Sequence, residues 1–355
     1  MTHAAQPYDV AVYIGRFQPF HNGHLALLQH ALQLASMCVV VIGSAFQART
    51  PKNPFTWQER AEMIRAALPE ADRLRVAFLP MRDYYDETRW LAAVRRQVDA
   101  LLDERGMASP RIALVGHLKD PTSEYLRSFS GWQFKSMDRT SDADATALRD
   151  VYFGHAGASL DAALGALVSQ APASTLAFMR AWAELPFFGQ LVVEWEMLRA
   201  YKGSWSAAPY PPVFVTVDAI VKCADRVLLI RRGQAPGKGL LAAPGGFIEL
   251  RETTYQSALR ELKEETHLSL LESSMRQALK AVAVFDHPDR SQRGRTITHA
   301  HFFDLGERAL PEVRADDDAA AVEWVAIDQL LVLEDQFLDD HFHMLDHFLG
   351  LTTDA

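Results

Sequence analysis

Two short stretches of the chain hold side chains that could carry out chemistry at fixed spacings. The first, GRFQPFHNGH (residues 15–24), places two histidines three residues apart around an Asn-Gly pair. If a helix starts here, its free backbone N–H groups, the donors of His21 and His24, and the open backbone at Gly23 could cradle a phosphate. Such donors are most useful where negative charge grows during a reaction. A polar turn with surface histidines is the simpler alternative.

The second stretch, GGFIELRETTYQSALRELKEETHL (residues 245–268), concentrates carboxylates at helical spacing. Residues four apart share a helix face, so Arg260, Glu261, Glu264 and Glu265 should cluster there. Crowded carboxylates repel one another unless a divalent metal neutralises them. Mg²⁺ or Mn²⁺ held by Glu261, Glu264 and Glu265 could bridge a pyrophosphate and generate hydroxide from water. An amphipathic helix with a solvated acidic face is the alternative.

The first stretch resembles the signature of the HxGH nucleotidyltransferase superfamily, and more closely that of the nicotinamide mononucleotide (NMN) adenylyltransferases. Three further segments fit this family: NPFTWQER (residues 53–60), DYYDETRW (residues 83–90) and ATALR (residues 145–149). The last segment departs from the usual S/T-x-I-R pattern in its middle residues, and Asp144 stands where Ser or Gly is common. The resemblance covers about residues 8–155.

This resemblance implies transfer of AMP from ATP to NMN, with release of pyrophosphate. The attacking phosphate oxygen is already anionic, so catalysis depends on positioning and charge stabilisation. His21, His24 and Arg149 would hold the ATP phosphates, while Trp90 would stack on the pyridinium and Asp83 would bind its carboxamide. The residues expected at this site are Gly15, Arg16, Phe17, His21, Gly23, His24, Asp83, Trp90, Lys119, Asp120, Arg127, Thr146 and Arg149.

The second stretch resembles the Nudix box, with Arg260 as the residue that orients the three carboxylates and Glu252 as support. His267 replaces the final glycine, which normally takes a positive φ; histidine can adopt that conformation at a cost of about 1 kcal/mol. The segment at residues 284–303 resembles Nudix enzymes that act on ADP-ribose. It suggests Phe285, Arg290, Arg293 and Arg295 as substrate-binding residues. One aspartate of residues 316–318 could act as a base, although a solvated acidic loop is the simpler interpretation.

Alternating strands and helices up to about residue 116 indicate βαβ units and a parallel sheet, where ligands bind beyond the carboxyl ends of the strands. We therefore expect a Rossmann-like nucleotidyltransferase domain at residues 1–190 and an α+β Nudix domain at residues 213–355. Between them, residues 191–212 should form a helical end and a linker. The linker is marked by GSWSAAPYPP (residues 203–212), which is rich in Gly, Ser and Pro.

Composition narrows the class of protein. The chain has 355 residues, 49% of them hydrophobic, so it can bury two cores. Its net charge of −9 argues against a general nucleic-acid binder, and no segment is long and apolar enough to span a membrane. The two cysteines suggest neither disulfides nor zinc, and no signal peptide is evident. A cytoplasmic protein of unspecified oligomeric state is expected.

The order of the two motifs resembles the bifunctional NMN adenylyltransferase/Nudix hydrolases. One domain would make NAD from NMN and ATP, and the other would cleave ADP-ribose to AMP and ribose 5-phosphate, with Mg²⁺ or Mn²⁺ as cofactor. Two alternatives stay open. The first domain could use another phosphorylated acceptor, and the Nudix half could be a non-catalytic sensor of ADP-ribose or NAD.

Overall fold

The computed structural model describes residues 6–117, 125–138, 143–155 and 159–352. Contacts divide the chain into two compact units, Met1–Val192 and Val193–Ala355, termed the first and second units below. This boundary falls inside a helix, ahead of the segment rich in Gly, Ser and Pro. The domain limits 1–190 and 213–355 therefore stay a prediction. No helix in the described ranges has the length and apolar character needed to cross a lipid bilayer.

The first unit alternates strands and helices. Its strands are β1 (Tyr8–Gly15), β2 (Ala35–Ile42), β3 (Val76–Pro80), β4 (Ile112–Gly116) and β5 (Gln133–Ser136). Its helices are α1 (Asn22–Leu34), α2 (Trp57–Ala66), α3 (Glu70–Arg73), α4 (Glu87–Glu104), α5 (Ala145–Phe153), α6 (Leu160–Ala166) and α7 (Ala173–Trp182). A further helix, α8 (Pro186–Ser204), contains the boundary between the units.

The five strands form one parallel sheet in the order β3-β2-β1-β4-β5. Strands β1, β2 and β4 are almost wholly apolar because helices cover both faces of such a sheet. The strand order reverses between β1 and β4. A crevice opens beyond the carboxyl ends at this kind of reversal, here next to Gly15 and Gly116. The predicted Rossmann-like architecture is confirmed.

Helix α1 is held against the sheet by an apolar stripe. Leu27, Leu28, Ala31 and Leu32 recur at helical spacing and are buried against β1, β2 and β4. Helix α4 buries a similar stripe in the core that contains Val10, Val39 and Leu114. The N-terminus of α1 is thereby fixed at the crevice.

The second unit is built on a mixed sheet. Its strands are β6 (Val213–Cys223), β7 (Arg226–Arg232), β8 (Leu241–Ala242), β9 (Gly245–Phe247), β10 (Leu279–Phe285), β11 (Arg295–Asp304) and β12 (Ala319–Ala326). Its helices are α9 (Thr254–Thr266), α10 (Glu272–Ala278) and α11 (His341–Leu349), with short 3-10 turns at Ile327–Gln329 and Glu334–Gln336.

The main path of this sheet runs β10-β11-β6-β7-β12, with β11 and β6 parallel and the other neighbours antiparallel. Strand β9 pairs with β6, and β8 pairs with β7. Alternate residues of β6 enter two cores, Ile220 on the side of α11 and Val221 on the side of α9. This arrangement of helices on both faces of a mixed sheet confirms the predicted α+β class.

Candidate active sites

The histidine pair lies where the first sequence stretch places it, at the start of α1. His21 is the N-cap, and its Nδ1 accepts hydrogen bonds from the backbone N–H groups of Gly23 (3.1 Å) and His24 (3.4 Å). In return, His24 Nδ1 accepts from the His21 N–H at 3.3 Å. A neutral imidazole that accepts at Nδ1 carries its proton on Nε2. Both rings therefore present an Nε2–H donor.

The environment of His24 keeps its ring neutral. Burial lowers its pKa well below the ordinary value, and the neighbouring rings of His21 and His117 add to this effect. The His21 and His24 rings stack with centroids 3.6 Å apart. The pair can therefore donate hydrogen bonds to an anion at neutral pH without itself carrying a full charge.

The loop that precedes α1 is held rigidly. Phe17 has a φ of 55° and is buried, and its ring lies so close to Gly15 that a Cβ there would approach it to 2.7 Å. Gln18 exchanges two hydrogen bonds with the backbone of Phe55, at 2.8 and 3.1 Å. Glycine is therefore required at position 15, directly at the end of β1.

Two arginines face the same crevice. Arg149 on α5 donates to the Gln18 carbonyl and, at 3.2 Å, to the Thr146 hydroxyl. Burial lowers the Arg149 pKa to about 10, and the nearby charge of Arg16 adds to this. Two cations that repel each other favour a bound anion. Asp144, the departure from the family pattern, caps α5 by accepting from the N–H groups of Thr146 and Ala147.

These groups line a cleft of about 630 Å³ in the first unit. Its lining includes the predicted Arg16, Phe17, His21, Gly23, His24, Thr146 and Arg149. It also includes Lys52 and His117, which sequence analysis did not single out. His117 immediately follows β4, so the rule that ligands bind at strand ends was the signal that could have found it.

Arg60 is a further residue that sequence analysis missed. Its side chain is fully buried and donates to the carbonyls of Arg16 and Gly43 (both 2.7 Å) and of Ser44 (3.0 Å). Burial lowers its pKa to about 10, against the charge of Asp83, which raises it. Arg60 thus ties together the loops that follow β1 and β2. Arg60 was missed because nothing in the sequence distinguishes an arginine that the fold buries from one on the surface.

The predicted pyridine-binding pair occupies the loop after β3 and the first turns of α4. Asp83 accepts from the Ser44 N–H (3.1 Å) and hydroxyl (2.6 Å) and from Gln47 Nε2 (3.1 Å). Trp90 is partly buried and makes an edge contact with Tyr125 at 5.1 Å. Neither residue lines the cleft that holds the histidine pair, so their role stays a prediction.

Lys119 and Asp120 lie outside the residues that the structure describes. Arg127 is described and exposed, and it does not line the cleft. These three assignments stay predictions.

In the second unit, the Nudix-like stretch forms β9, a connecting loop and α9. Thr253 caps α9, in a capping box with Gln256. Arg260 donates to Glu252 (3.0 Å), Glu261 (2.8 Å) and Glu264 (2.9 Å). The predicted cluster of carboxylates around one arginine is therefore present.

Glu265 faces the sheet instead of Arg260. Its carboxylate accepts from the Gly245 N–H at 2.9 Å, and burial raises its pKa to about 8, with the charges of Glu261 and Asp218 adding to the rise. At Gly246, a Cβ would lie 2.5 Å from Glu261 Oε1, so the carboxylate of α9 needs glycine in β9. Asp218, inside β6 and buried, was missed because an aspartate in a strand carries no site pattern.

The donor chemistry of this cluster fits a hard divalent cation. Carboxylate oxygens are the ligands that Mg²⁺ and Mn²⁺ prefer, and burial raises the pKa of Glu261 as well as that of Glu265. A cation would relieve the repulsion between them. Within the described ranges, no three His, Cys, Asp or Glu side chains form a ready metal-binding group. The carboxylates of Glu261 and Glu264 are instead bound to Arg260.

His267 ends α9 in the left-handed conformation expected for this position, with φ of 50° and ψ of 19°. Its N–H donates to the Lys263 carbonyl at 2.9 Å, so the helix ends where a glycine would end it. Its Nε2 lies 2.6 Å from Asp316 Oδ2, and this bond lowers the pKa of Asp316.

The four residues suggested for ADP-ribose binding have different partners in the structure, and their role stays a prediction. Arg290 is buried and forms a bidentate pair with Asp340, at 2.9 and 2.8 Å. Arg293 lies over the Phe247 ring at 5.2 Å, and Arg295 donates to the Asp286 carbonyl. Phe285 packs against the core of the second unit. Arg293 is thus the member whose surroundings best fit a ligand contact, whereas Arg290 has a structural partner that the sequence did not reveal.

Two family models match the chain. A cytidylyltransferase-like model matches residues 12–151, and a NUDIX domain model matches residues 212–348. The fold and both sites therefore define a nucleotidyltransferase joined to a Nudix domain.

A solved structure of similar extent has both parts. It is a bifunctional NMN adenylyltransferase/ADP ribose pyrophosphatase from Francisella tularensis, complexed with AMP and a manganese ion; it is 35% identical, with a TM-score of 0.87 over 97% of this chain and 99% of that one. The nicotinamide/nicotinic acid mononucleotide adenylyltransferase of Acinetobacter baylyi is 32% identical over 52% of this chain and 92% of its own. The ADP-ribose pyrophosphatase of Methanocaldococcus jannaschii is 36% identical over 33% of this chain and 63% of its own. The chain belongs to the family of bifunctional NMN adenylyltransferase/ADP-ribose pyrophosphatases.

Proposed function

We propose that the first unit transfers AMP from ATP to NMN, giving NAD and pyrophosphate, and that the second hydrolyses ADP-ribose to AMP and ribose 5-phosphate. Family membership supports both activities. The observation that carries the first is the reciprocal cap of α1, which fixes a proton on Nε2 of both His21 and His24. The observation that carries the second is the carboxylate cluster around Arg260.

In the first reaction, a phosphate oxygen of NMN attacks the α-phosphorus of ATP, and the bond to the β-phosphate breaks. His21 and His24 donate to phosphate oxygens whose negative charge increases during transfer. Arg149 and Arg16 bind the departing pyrophosphate, while Thr146 supplies a further hydrogen bond. A divalent cation such as Mg²⁺, bound with ATP, would supply further charge neutralisation of the triphosphate. No side-chain base is needed, because the attacking oxygen is already anionic.

NMN is proposed as the acceptor because Asp83 and Trp90 suit its ring. Trp90 would stack on the cationic pyridinium, and Asp83 would accept from the carboxamide N–H₂. The charge of Asp83 disfavours the carboxylate of nicotinic acid mononucleotide, which the Acinetobacter relative is also named for. The first unit is therefore expected to prefer NMN to nicotinic acid mononucleotide as the acceptor.

In the second reaction, Glu261, Glu264 and Glu265 would hold Mg²⁺ or Mn²⁺, which supplies charge neutralisation of the pyrophosphate and a more acidic bound water. Arg260 orients Glu261 and Glu264, and Glu252 holds Arg260 in place. Arg293 would contact a phosphate or the ribose. Residence in the cytoplasm, and the domain limits 1–190 and 213–355, are part of the same proposal.

Product analysis by mass spectrometry tests this function. Purified protein with Mg²⁺ should convert NMN plus ATP to NAD and pyrophosphate, and should convert ADP-ribose to AMP and ribose 5-phosphate. EDTA should stop the second reaction. If ADP-ribose binds but AMP is not released, the second unit is a sensor. If NMN is inert and another phosphorylated acceptor reacts, the first assignment is wrong.

A further inference from the structure

The acidic loop, residues 314–318, is attached to the end of α9 at several points. The Arg314 N–H donates to the Thr266 carbonyl at 2.9 Å, and the Asp316 N–H donates to the Glu265 carbonyl at 3.3 Å. The third attachment is the His267 side chain, 2.6 Å from Asp316. Because a carboxylate can only accept, His267 donates from Nε2 in this bond. The residue that replaces the Nudix-box glycine therefore connects the catalytic helix to the loop.

The attachment occupies both oxygens of Asp316. Oδ2 accepts from His267, and Oδ1 accepts from the backbone N–H of Asp317 at 2.9 Å. Asp317 has a φ of 51°, a left-handed conformation that a non-glycine residue adopts only when its surroundings enforce it. The Asp316 side chain is thus placed to enforce the unusual backbone of its neighbour.

The other end of the loop is also engaged. Asp318 Oδ1 accepts from Gln234 Nε2 at 2.9 Å, and the Asp318 carbonyl accepts from the Gly233 N–H at 2.7 Å. Asp317 and Asp316, but not Asp318, line the same cleft of about 990 Å³ as Arg260 and Glu264. The charge of Asp317 contributes to the raised pKa of Glu261, after burial and Glu264.

We propose that His267 is a positioning residue of the hydrolase site: its bond to Asp316 holds the acidic loop so that Asp317 faces the carboxylates of α9. This inference rests on the proposed hydrolysis of ADP-ribose. Of the three aspartates that the sequence left open, it selects Asp317, because Asp316 holds His267 and the Asp317 N–H while Asp318 binds Gln234. The His267–Asp316 pair is partly exposed, so it contributes little to global stability and acts on the local conformation of the loop.

The test uses the full-length protein and measures kcat and KM for ADP-ribose with Mg²⁺, together with the thermal midpoint. His267→Gly should lower kcat by about 3- to 5-fold, the scale of an exposed ion pair, with KM little changed. The midpoint should not fall, because glycine adopts the left-handed conformation without strain. Asp316→Ala should give a similar loss of kcat, and the double variant should be no worse than either single variant.

Asp316→Asn is the conservative control. Its carbonyl can still accept from the Asp317 N–H, and its amide can donate to the other tautomer of His267, so kcat should stay within about 2-fold of the wild type. Asp317→Asn should lower kcat at least as much as His267→Gly, whereas Asp318→Asn should not. Unchanged kcat in His267→Gly, or losses that multiply in the double variant, would overturn the proposal. A wild-type protein that releases no AMP would instead refute the hydrolase function itself.

Discussion

Helices α1 and α9 carry the two sites, and both begin with a capping box, but their chemistry lies at opposite ends. In α1 the capping residues are themselves His21 and His24, so the functional groups lie at the positive N-terminus. In α9 Thr253 and Gln256 form the cap, and the carboxylates lie in the last turns, near the negative end. The N-terminus attracts the anion of a triphosphate and the C-terminus favours a cation. Each helix thus places its site at the end whose partial charge is opposite to the charge of the expected ligand.

The largest effect should come from removing the buried carboxylate of α9. Glu265→Gln keeps the side-chain volume but loses a charge that a divalent cation needs. ADP-ribose hydrolysis should fall by at least about 10³-fold. NAD synthesis in the same preparation should be largely intact. Glu307→Gln, which changes an exposed glutamate of the second unit that does not line the cleft of Arg260 and Glu264, is the matched control and should leave both activities unchanged. Parallel loss of both activities in Glu265→Gln would mean that the sites depend on each other.

The corresponding experiment in the first unit removes a hydrogen-bond donor from the start of α1. His24→Ala should lower kcat for NAD synthesis by about 10²-fold and change the KM for NMN little, because the donor acts on charge that develops during transfer. His30→Ala, on the same helix outside the cleft, is the control. Steady-state kinetics with both substrates measures the difference. Near-wild-type kcat in His24→Ala would show that the cap is structural and the phosphate is bound elsewhere.

A smaller effect is expected at the acceptor side of the first unit. Trp90→Ala should raise the KM for NMN by about 10-fold while the KM for ATP changes little, since stacking on a cation contributes about 1–2 kcal/mol. Trp132→Ala removes a ring from the same aromatic cluster, where Trp132 stacks on Phe129 at 4.7 Å. That control should lower the thermal midpoint without a selective effect on NMN. Equal weakening of both substrates in Trp90→Ala would place Trp90 in the core.

The smallest effect concerns acid sensitivity. His341 is buried, accepts from the Ala243 N–H at 3.1 Å, and has its pKa lowered to about 4 by burial. His341 therefore stays neutral to a lower pH in the folded protein than in the unfolded chain. The stability that His341 contributes is complete above pH 6.5 and is lost as the pH falls towards 4.

Relative to His341→Gln, the wild type should thus lose about 1 kcal/mol of unfolding free energy between pH 7 and about pH 5.5, as measured by urea titration. The buried carboxyl of Asp340 is present in both proteins, so it cancels in the difference. His347→Gln makes the same substitution at an exposed position of the same helix and serves as the matched control variant. A pH-independent difference between wild type and His341→Gln would contradict the assignment.

Most of the features that could be predicted from the sequence follow from patterns among residues close together in the chain. The alternation of strands and helices, the spacing of Arg260 and its carboxylates, and the positive φ of His267 all follow from short-range rules, and the structure agrees with each. The pairing of two activities in one chain is confirmed by the family to which it belongs.

Contacts between distant segments could not be predicted in the same way. Arg60 meets carbonyls more than 15 residues away in sequence, and Arg290 meets Asp340 across 50 residues. Both side chains look like surface charges until the fold buries them. The sequence could not reveal that Arg290 pairs with Asp340, or that Asp218 would lie near Glu265, and the assignment of Arg290 to a ligand stays a prediction.

The reciprocal cap of α1 also restricts which amino acids can replace His21 and His24. A residue at position 21 must accept from two backbone N–H groups on one side of its side chain and offer a donor on the other, and position 24 carries a matching double demand. Ser, Asp or Asn can serve as a cap, but their side chains are too short to present a second donor so far from the backbone. Replacement of either histidine therefore removes a cap bond and an Nε2–H donor together. Cleft residues other than these two histidines can change without losing a helix cap and a phosphate donor at the same time.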